Sequence, residues 1–291
     1  MEIDIMRAAV DPRYAAARRV LLDALFAIAP HGKAVIIAGA QAVYLRTGDA
    51  NLAVAPYTTD GDLVINPSLL GDEPLLEEAM RRANFSLIVR DEGHTEPGIW
   101  LAPVRIGEST ELIPVDLIVP EGAAPPGGRR GARLGPHGKQ AAGRAVGLEA
   151  VLVDHSPIVV SALDPTDSRS IEVEVAGSAA LLVAKTHKIH DRIAGGKSSR
   201  VDDKDAADVL RIMQMTNASE TGGTLAALAL DPIAGESTKR ALTYLADQFG
   251  HRGRTGIEMA THAMQLALDP ATVEIICTTY VAEVAKVIPL Q

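Results

Sequence analysis

Cysteine is nearly absent: of 291 residues only Cys277 carries a thiol. A single thiol forms no intrachain disulfide and no cysteine-built zinc site, so nothing here calls for an oxidising compartment. Aromatic residues are scarce too, with one Trp, three Phe and five Tyr. Ala, Val, Leu and Ile must then fill the core of a chain that is 47% apolar. No uninterrupted apolar run approaches the ~18 residues of a membrane span. The opening Met-Glu-Ile-Asp-Ile-Met-Arg lacks the basic and apolar regions of a secretory signal. The expectation is a cytoplasmic protein with no membrane partner. Positive charge is in deficit, with 28 Lys and Arg against 37 Asp and Glu. That argues against broad non-specific nucleic-acid binding, though not against a local basic groove. There is no Gly-x-Ser-x-Gly elbow, and Cys277 has no local support as a nucleophile. None of the eight histidines has a partner at zinc-ligand spacing, and the shared helical face of His187 and His190 is a two-residue hint only.

What is present centres on Tyr57-Thr58-Thr59-Asp60-Gly61-Asp62-Leu63-Val64-Ile65-Asn66. Alternate residues of an extended chain point the same way. Asp60 and Asp62 therefore converge at the mouth of a strand whose apolar body is Leu63 to Ile65. Two carboxylates that close repel unless a cation lies between them, and a hard divalent ion such as Mg²⁺ suits oxygen donors. The alternative is a solvated Asp-Gly turn ahead of a strand.

The length suits one large domain or two ordinary ones. Residues 12–29 read as an amphipathic helix, capped by Asp11 with Pro12 in its first turn. Ala34 to Ala38 reads as a buried strand. Gly39-Ala40 follows, then a helix over 41–46. A small-residue turn between strand and helix lets a ligand approach the backbone, and a helix N-terminus favours phosphate; close packing of helix on strand would use the same residues. After a polar connection (47–56) and the acidic pair, a helix is expected over 73–84 and strands over 86–90 and 99–106. In Glu111 to Pro120, Asp116 interrupts an apolar strand. An unpaired buried carboxylate costs several kcal/mol, so Asp116 calls for a partner, and with two carboxylates upstream a shared metal is favoured over an edge position.

Residues 121–145 break the pattern. Arg129, Arg130, Arg133, Lys139 and Arg144 fall between 127 and 144 without one acid. The patch could meet phosphates, or it could be a solvated, unstructured loop; no aromatic is present there to stack on bases. Short strands are expected over 150–153, 158–163 and 170–175. From Gly177 the period becomes helical, with Ser178 as a candidate cap of a helix to about Ile193. Lys185, Lys188 and Arg192 form one cationic face. Gly195 to Arg200 lacks the spacing of a phosphate loop. Asp205 and Asp208 share a face of the next helix, and residues 219–286 read as helices broken near Pro232, Gly250 and Pro270.

The order of these pieces carries a resemblance. A strand with Ala38-Gly39-Ala40, an Asp-x-Asp strand, a third strand aspartate, a helix with Lys185, and Lys204-Asp205-Ala206-Ala207-Asp208 follow one another over roughly residues 34–213. This resembles the nucleotidyltransferase superfamily with the polymerase-β-like core, and more narrowly the AbiEii/MenT-type toxin nucleotidyltransferases. Ala40 stands where that group has Gly or Ser, and Gly61 is unusual between the aspartates. The resemblance implies an α+β fold, with a mixed-sheet nucleotidyltransferase core over 1–176. A C-terminal all-helical domain over 177–291 would contribute Lys185 and Asp205. It implies Mg²⁺ on Asp60 and Asp62, with Asp116 completing a second-metal site or orienting the attacking hydroxyl. Gly39, Ala40, Lys185 and Lys188 would meet the NTP, with Lys185 neutralising triphosphate charge. Asp205 would position Lys185 or act as base, unless the pair is a structural salt bridge. Arg129, Arg130 and Arg133 would guide RNA. The implied activity is transfer of a nucleotide from an NTP to RNA, tRNA included, as the toxin of a toxin–antitoxin pair with a neutralising protein partner. Transfer to a small molecule or protein, or a silent partner-binding domain, is the competing reading.

Overall fold

The computed structural model describes residues 10–48, 57–90, 93–127, 129–195 and 203–288. The opening heptapeptide, most of the 47–56 connection and residues 196–202 lie outside them. Helix α1 (Pro12–Ala27) starts as the sequence dictates: the Asp11 carboxylate accepts from the backbone N–H groups of Arg13 and Tyr14, and Pro12 occupies the first turn. A 3₁₀ turn leads into β1 (Val35–Ala38), which is wholly buried, and then α2 (Gly39–Thr47). Next come β2 (Gly61–Ile65), α3 (Leu76–Arg82), β3 (Ser86–Val89), β4 (Thr95–Ile106) and β5 (Ser109–Pro120). The rest of the sheet is β6 (Gly143–Ala145), β7 (His155–Ser161) and β8 (Ser170–Ala176). Six helices follow: α4 (Ser178–Ala194), α5 (Asp203–Met215), α6 (Ala218–Leu230), α7 (Gly235–Phe249), α8 (Thr255–Met264) and α9 (Pro270–Val287).

The fold is α+β with a mixed sheet. Its order is β3-β4-β5-β2-β1-β8-β7, with β6 against β5. The β2/β5, β1/β8 and β5/β6 pairs are parallel and the other pairs antiparallel. Helix α1 packs on β2, β4 and β5, whereas α2 packs on β1, β2 and β8 and then meets α4 and α5. One continuous hydrophobic cluster runs from α1 through the sheet to α9. Each fully buried Leu, Ile or Val in it contributes roughly 1.5–3 kcal/mol. The one tryptophan, Trp100, is fully buried, and its indole N–H donates to the Ala141 carbonyl at 3.0 Å.

Several local expectations are corrected. Residues 150–153 are not a strand: Glu149–Leu152 is a 3₁₀ turn, because a short apolar run does not distinguish strand from buried turn. The helix expected over 73–84 is shorter, at Leu76–Arg82. Ser178 is inside α4 and makes no cap; Asp154, from the segment before β7, accepts the Ala180 N–H at 2.9 Å instead. The described part of 121–145 is not an unstructured loop. Ala132, Leu134, His137, Ala141 and Ala142 are buried. His137 Nδ1 accepts from the Leu76 N–H at the start of α3, while its Nε2 donates to the Gly71 carbonyl. Arg144 is paired with Glu121 at 2.8 Å.

Candidate functional site

Strand register brings the acids together. Asp62 of β2 is directly opposite Asp116 of β5 in the parallel pair. In-register partners share a face of the sheet, and Asp60, two residues before Asp62, points the same way. Gly61 between them turns to the other face, where a Cβ would lie 3.1 Å from Leu21 Cδ1 and 3.6 Å from Val115 Cγ2. The glycine between the aspartates is thus explained by α1 lying close beneath β2.

Asp62 is also opposite Ala38, the last residue of β1. The chain then turns at Gly39 with φ +63°, in the left-handed region that favours glycine. A Cβ on Gly39 would land inside the space of Asp62 Oδ2. Gly39 therefore gives the Asp62 carboxylate its room at the first turn of α2, and Ala40 behind it is buried.

The three carboxylates are unequal. Burial pushes Asp116 up first, and the charges of Asp62 and Asp60 push it further, to about 8. Asp62 is raised by burial and then by Asp60. Burial acts on Asp60 in the same direction, but Lys204, the Thr58 hydroxyl, Lys188 and Lys185 outweigh it and hold Asp60 below its ordinary value. Lys204 Nζ donates to Thr58 Oγ1 at 2.7 Å and lies 3.5 Å from Asp60 Oδ1, while Thr58 Oγ1 donates to Asp60. Lys204 and Thr58 are 146 residues apart in the chain and were not singled out from sequence, although both stand inside the quoted motifs. Glu96 was missed as well; its charge also raises Asp116, and no local pattern marks it.

Helices α4 and α5 meet beside these acids through buried charge. Lys185 Nζ donates to Asp205 Oδ1 and to Asp208 Oδ2, both at 2.7 Å. Burial disfavours the ammonium, but the two carboxylates outweigh burial and keep Lys185 charged. Asp205 is held well below the usual carboxylate range: burial opposes this, and Lys185, Lys188 and Arg192 prevail. Arg192 bonds Asp205 Oδ2, and Lys188 Nζ lies 3.6 Å from its Oδ1. The two lysines differ in exposure, 5% of the side chain for Lys185 and 51% for Lys188. The Lys188 charge acts on Asp60, Asp62, Asp116 and Asp205 alike.

Other candidates fall outside this cluster. Arg129, Arg130 and Arg133 are exposed and are not among the main charges acting on the three acids. His187 is buried with Nε2 against the Ser237 carbonyl, and His190 stacks on Tyr244, so the pair is used in packing α4 on α7. Cys277 is buried and its thiol is pushed up to about 12.

The donor chemistry fits a hard divalent cation: three carboxylates on one face, two of them raised by burial and then by mutual repulsion, which a bound cation would offset. Among the described residues no group of three or more His, Cys, Asp or Glu side chains is arranged to hold a metal ion. Also among them, no helix is long and apolar enough to cross a membrane. No protein-family model matches the chain, and no curated protein matches its sequence.

Proposed function

We propose that the chain is a Mg²⁺-dependent nucleotidyltransferase that moves a nucleotide from an NTP to an RNA acceptor. The observation that carries this reading is the register of Asp62 against Asp116, with Asp60 on the same face. In this reading β1, the Gly39 turn, α2, β2 and β5 are the nucleotidyltransferase core, and the helices from α4 onward are the helical domain that completes the site.

Asp60 and Asp62 would hold the cation, with Asp116 completing a second-metal position. When bound, such ions offset the charge that develops on the entering and leaving oxygens of an in-line displacement. The protein's own groups do the rest. Where it does not hold an ion, Asp116 would instead orient the attacking hydroxyl. Lys188, half-exposed and with its charge acting on all three acids, would meet triphosphate oxygens as a flexible point charge. Lys185 lies deeper, and its two carboxylate partners make it the cation that fixes α5 on α4. Lys204 sets the orientation of Asp60 together with Thr58. The turn at Gly39 and Ala40 brings backbone N–H groups of the α2 N-terminus to the same place, where phosphate is favoured.

The RNA acceptor is supported by the exposed guanidinium groups of Arg129, Arg130 and Arg133 on a segment whose backbone is tied down by Trp100 and His137. A fixed basic surface positions a phosphate backbone without reading bases. A tRNA acceptor, a toxin role and a neutralising partner rest on the family resemblance alone. The test is incubation of the purified protein with each labelled NTP, Mg²⁺ and total RNA, with Asp60→Ala alongside. Label on RNA that depends on Asp60 supports the proposal. Label on a small molecule or on protein replaces the acceptor, and no transfer to anything overturns the activity.

A further inference from the structure

A buried cation, Arg18, is linked through one side chain to the approach to the acidic pair, and among the described residues it meets no acid. Arg18 of α1 is 4% exposed. Among the described residues its hydrogen bonds go to Gln41 Oε1 at 2.7 Å, the Ser161 carbonyl at 3.2 Å and the Tyr14 hydroxyl at 3.2 Å, none of them an acid. A buried guanidinium without a carboxylate is costly, so its neutral partners are there for a reason other than charge pairing. Gln41, 1% exposed, is in the first turn of α2. Arginine only donates, so Gln41 must turn its oxygen to Arg18. Its amide nitrogen is thereby aimed the other way, and it donates to the Asp60 carbonyl at 3.1 Å. One helical turn later the Tyr44 hydroxyl donates to the Tyr57 carbonyl at 2.9 Å. Helix α2 thus grips the backbone ahead of β2 at two points, three residues apart on each side. The Gln41 contact falls on the peptide that joins Asp60 to Gly61.

We infer that Gln41, oriented by Arg18, is a positioning residue: it fixes the Asp60–Gly61 peptide and so the direction in which the Asp60 and Asp62 carboxylates present themselves to a divalent cation. The inference rests on the metal-site reading above. Groups that orient a ligand residue in this way change metal affinity by about 10–100-fold when lost, without touching the ion.

The test separates positioning from packing. In Gln41→Glu the carboxylate faces Arg18 and gains an ion pair, so thermal stability should hold or rise. Its second oxygen then faces the Asp60 carbonyl, acceptor against acceptor, and the grip on the peptide is lost. Mn²⁺ binding to the full chain, followed by titration calorimetry and by electron paramagnetic resonance, should weaken about tenfold. Gln41→Met, which loses both hydrogen bonds, should weaken Mn²⁺ binding to a similar degree while also losing stability. A Gln41→Glu protein as stable as wild type with unchanged Mn²⁺ affinity overturns the inference and leaves the metal site standing. Failure of both variants to fold assigns Gln41 to structure alone and overturns it too. A wild-type chain that binds no Mn²⁺, or binds it equally well as Asp60→Ala, overturns the metal site itself and the inference with it.

Discussion

The Asp62 carboxylate occupies the space that a side chain on Gly39 would need. The two residues are joined by the β1/β2 pairing, in which Ala38 is opposite Asp62, so the turn and the acid were built as one unit. Gly39→Ala must push Asp62 aside and also hold a non-glycine residue at φ +63°, which costs on the order of 1–2 kcal/mol. The expected outcome is a folded protein with a lower urea midpoint and strongly weakened Mn²⁺ binding. Full Mn²⁺ affinity in this variant would show that Asp62 does not take part in the site.

The buried lysine and the exposed lysine of α4 should separate cleanly. Lys185→Met leaves Asp208 without its lysine and removes the buried ammonium from Asp205, which keeps Arg192. Breaking a buried charge cluster this way costs about 3–5 kcal/mol, visible as a large drop in the denaturation midpoint. Lys188→Ala removes a half-exposed group and should leave stability within about 0.5 kcal/mol. NTP binding should instead fall about tenfold, equivalent to about 1.4 kcal/mol. Should Lys185→Met fold and lose NTP binding while Lys188→Ala binds normally, the phosphate contact belongs to Lys185.

The raised Asp116 carboxyl gives a pH signature. Its ordinary value is 3.8, and burial together with Asp62 and Asp60 pushes it to about 8. The folded state therefore holds this proton more tightly than the unfolded chain. The associated stabilisation is complete below 3.8 and is lost as pH rises through about 8. Metal-free protein should thus show a urea midpoint that declines from pH 4 to pH 8, and Asp116→Asn should flatten that part of the profile. Superimposable profiles for the two proteins would place Asp116 in a solvated setting and count against the shared acidic cluster.

The basic segment is tested by salt. Replacing Arg129, Arg130 and Arg133 together with Gln removes three exposed charges from a backbone held by buried contacts, so folding should be unaffected. If these residues meet RNA phosphates, binding should weaken at low salt. The slope of log affinity against log salt should fall by about 2, as expected for three contacts to a single strand. An unchanged slope makes the segment a surface connector and removes the main support for an RNA acceptor.

Much of this site could be read along the chain because it depends on local periodicity. The spacing of Asp60 and Asp62, the apolar run after them, the Asp11 and Pro12 start of α1, and the helix breaks at Pro232, Gly250 and Pro270 all follow from backbone preference within a few residues. The alternation rule also placed Asp60 and Asp62 on one face. Asp205 and Asp208 shared a helical face for the same reason, and both reach Lys185.

Other features were decided only by packing between distant segments. Nothing near Asp116 says that it will stand opposite Asp62; that is set by which strands pair and in what register, and a slip of one residue would turn it to the other face. The Lys204 contact to Thr58 spans 146 residues, and the Arg18–Gln41–Asp60 chain joins α1, α2 and the approach to β2. Lys185 and Lys188 look alike in sequence, yet one is buried between two carboxylates and the other half-exposed, because α5 covers only one side of α4. Asp154 displaced Ser178 as the cap of α4 because a carboxylate from another segment arrived at the helix start. Sequence alone determined the elements and the spacing of the acids, since these follow from torsional preference and side-chain alternation. Which charges meet, which are buried and which are left to face a ligand was settled by tertiary structure, since charge pairing and desolvation act through space without regard to distance along the chain.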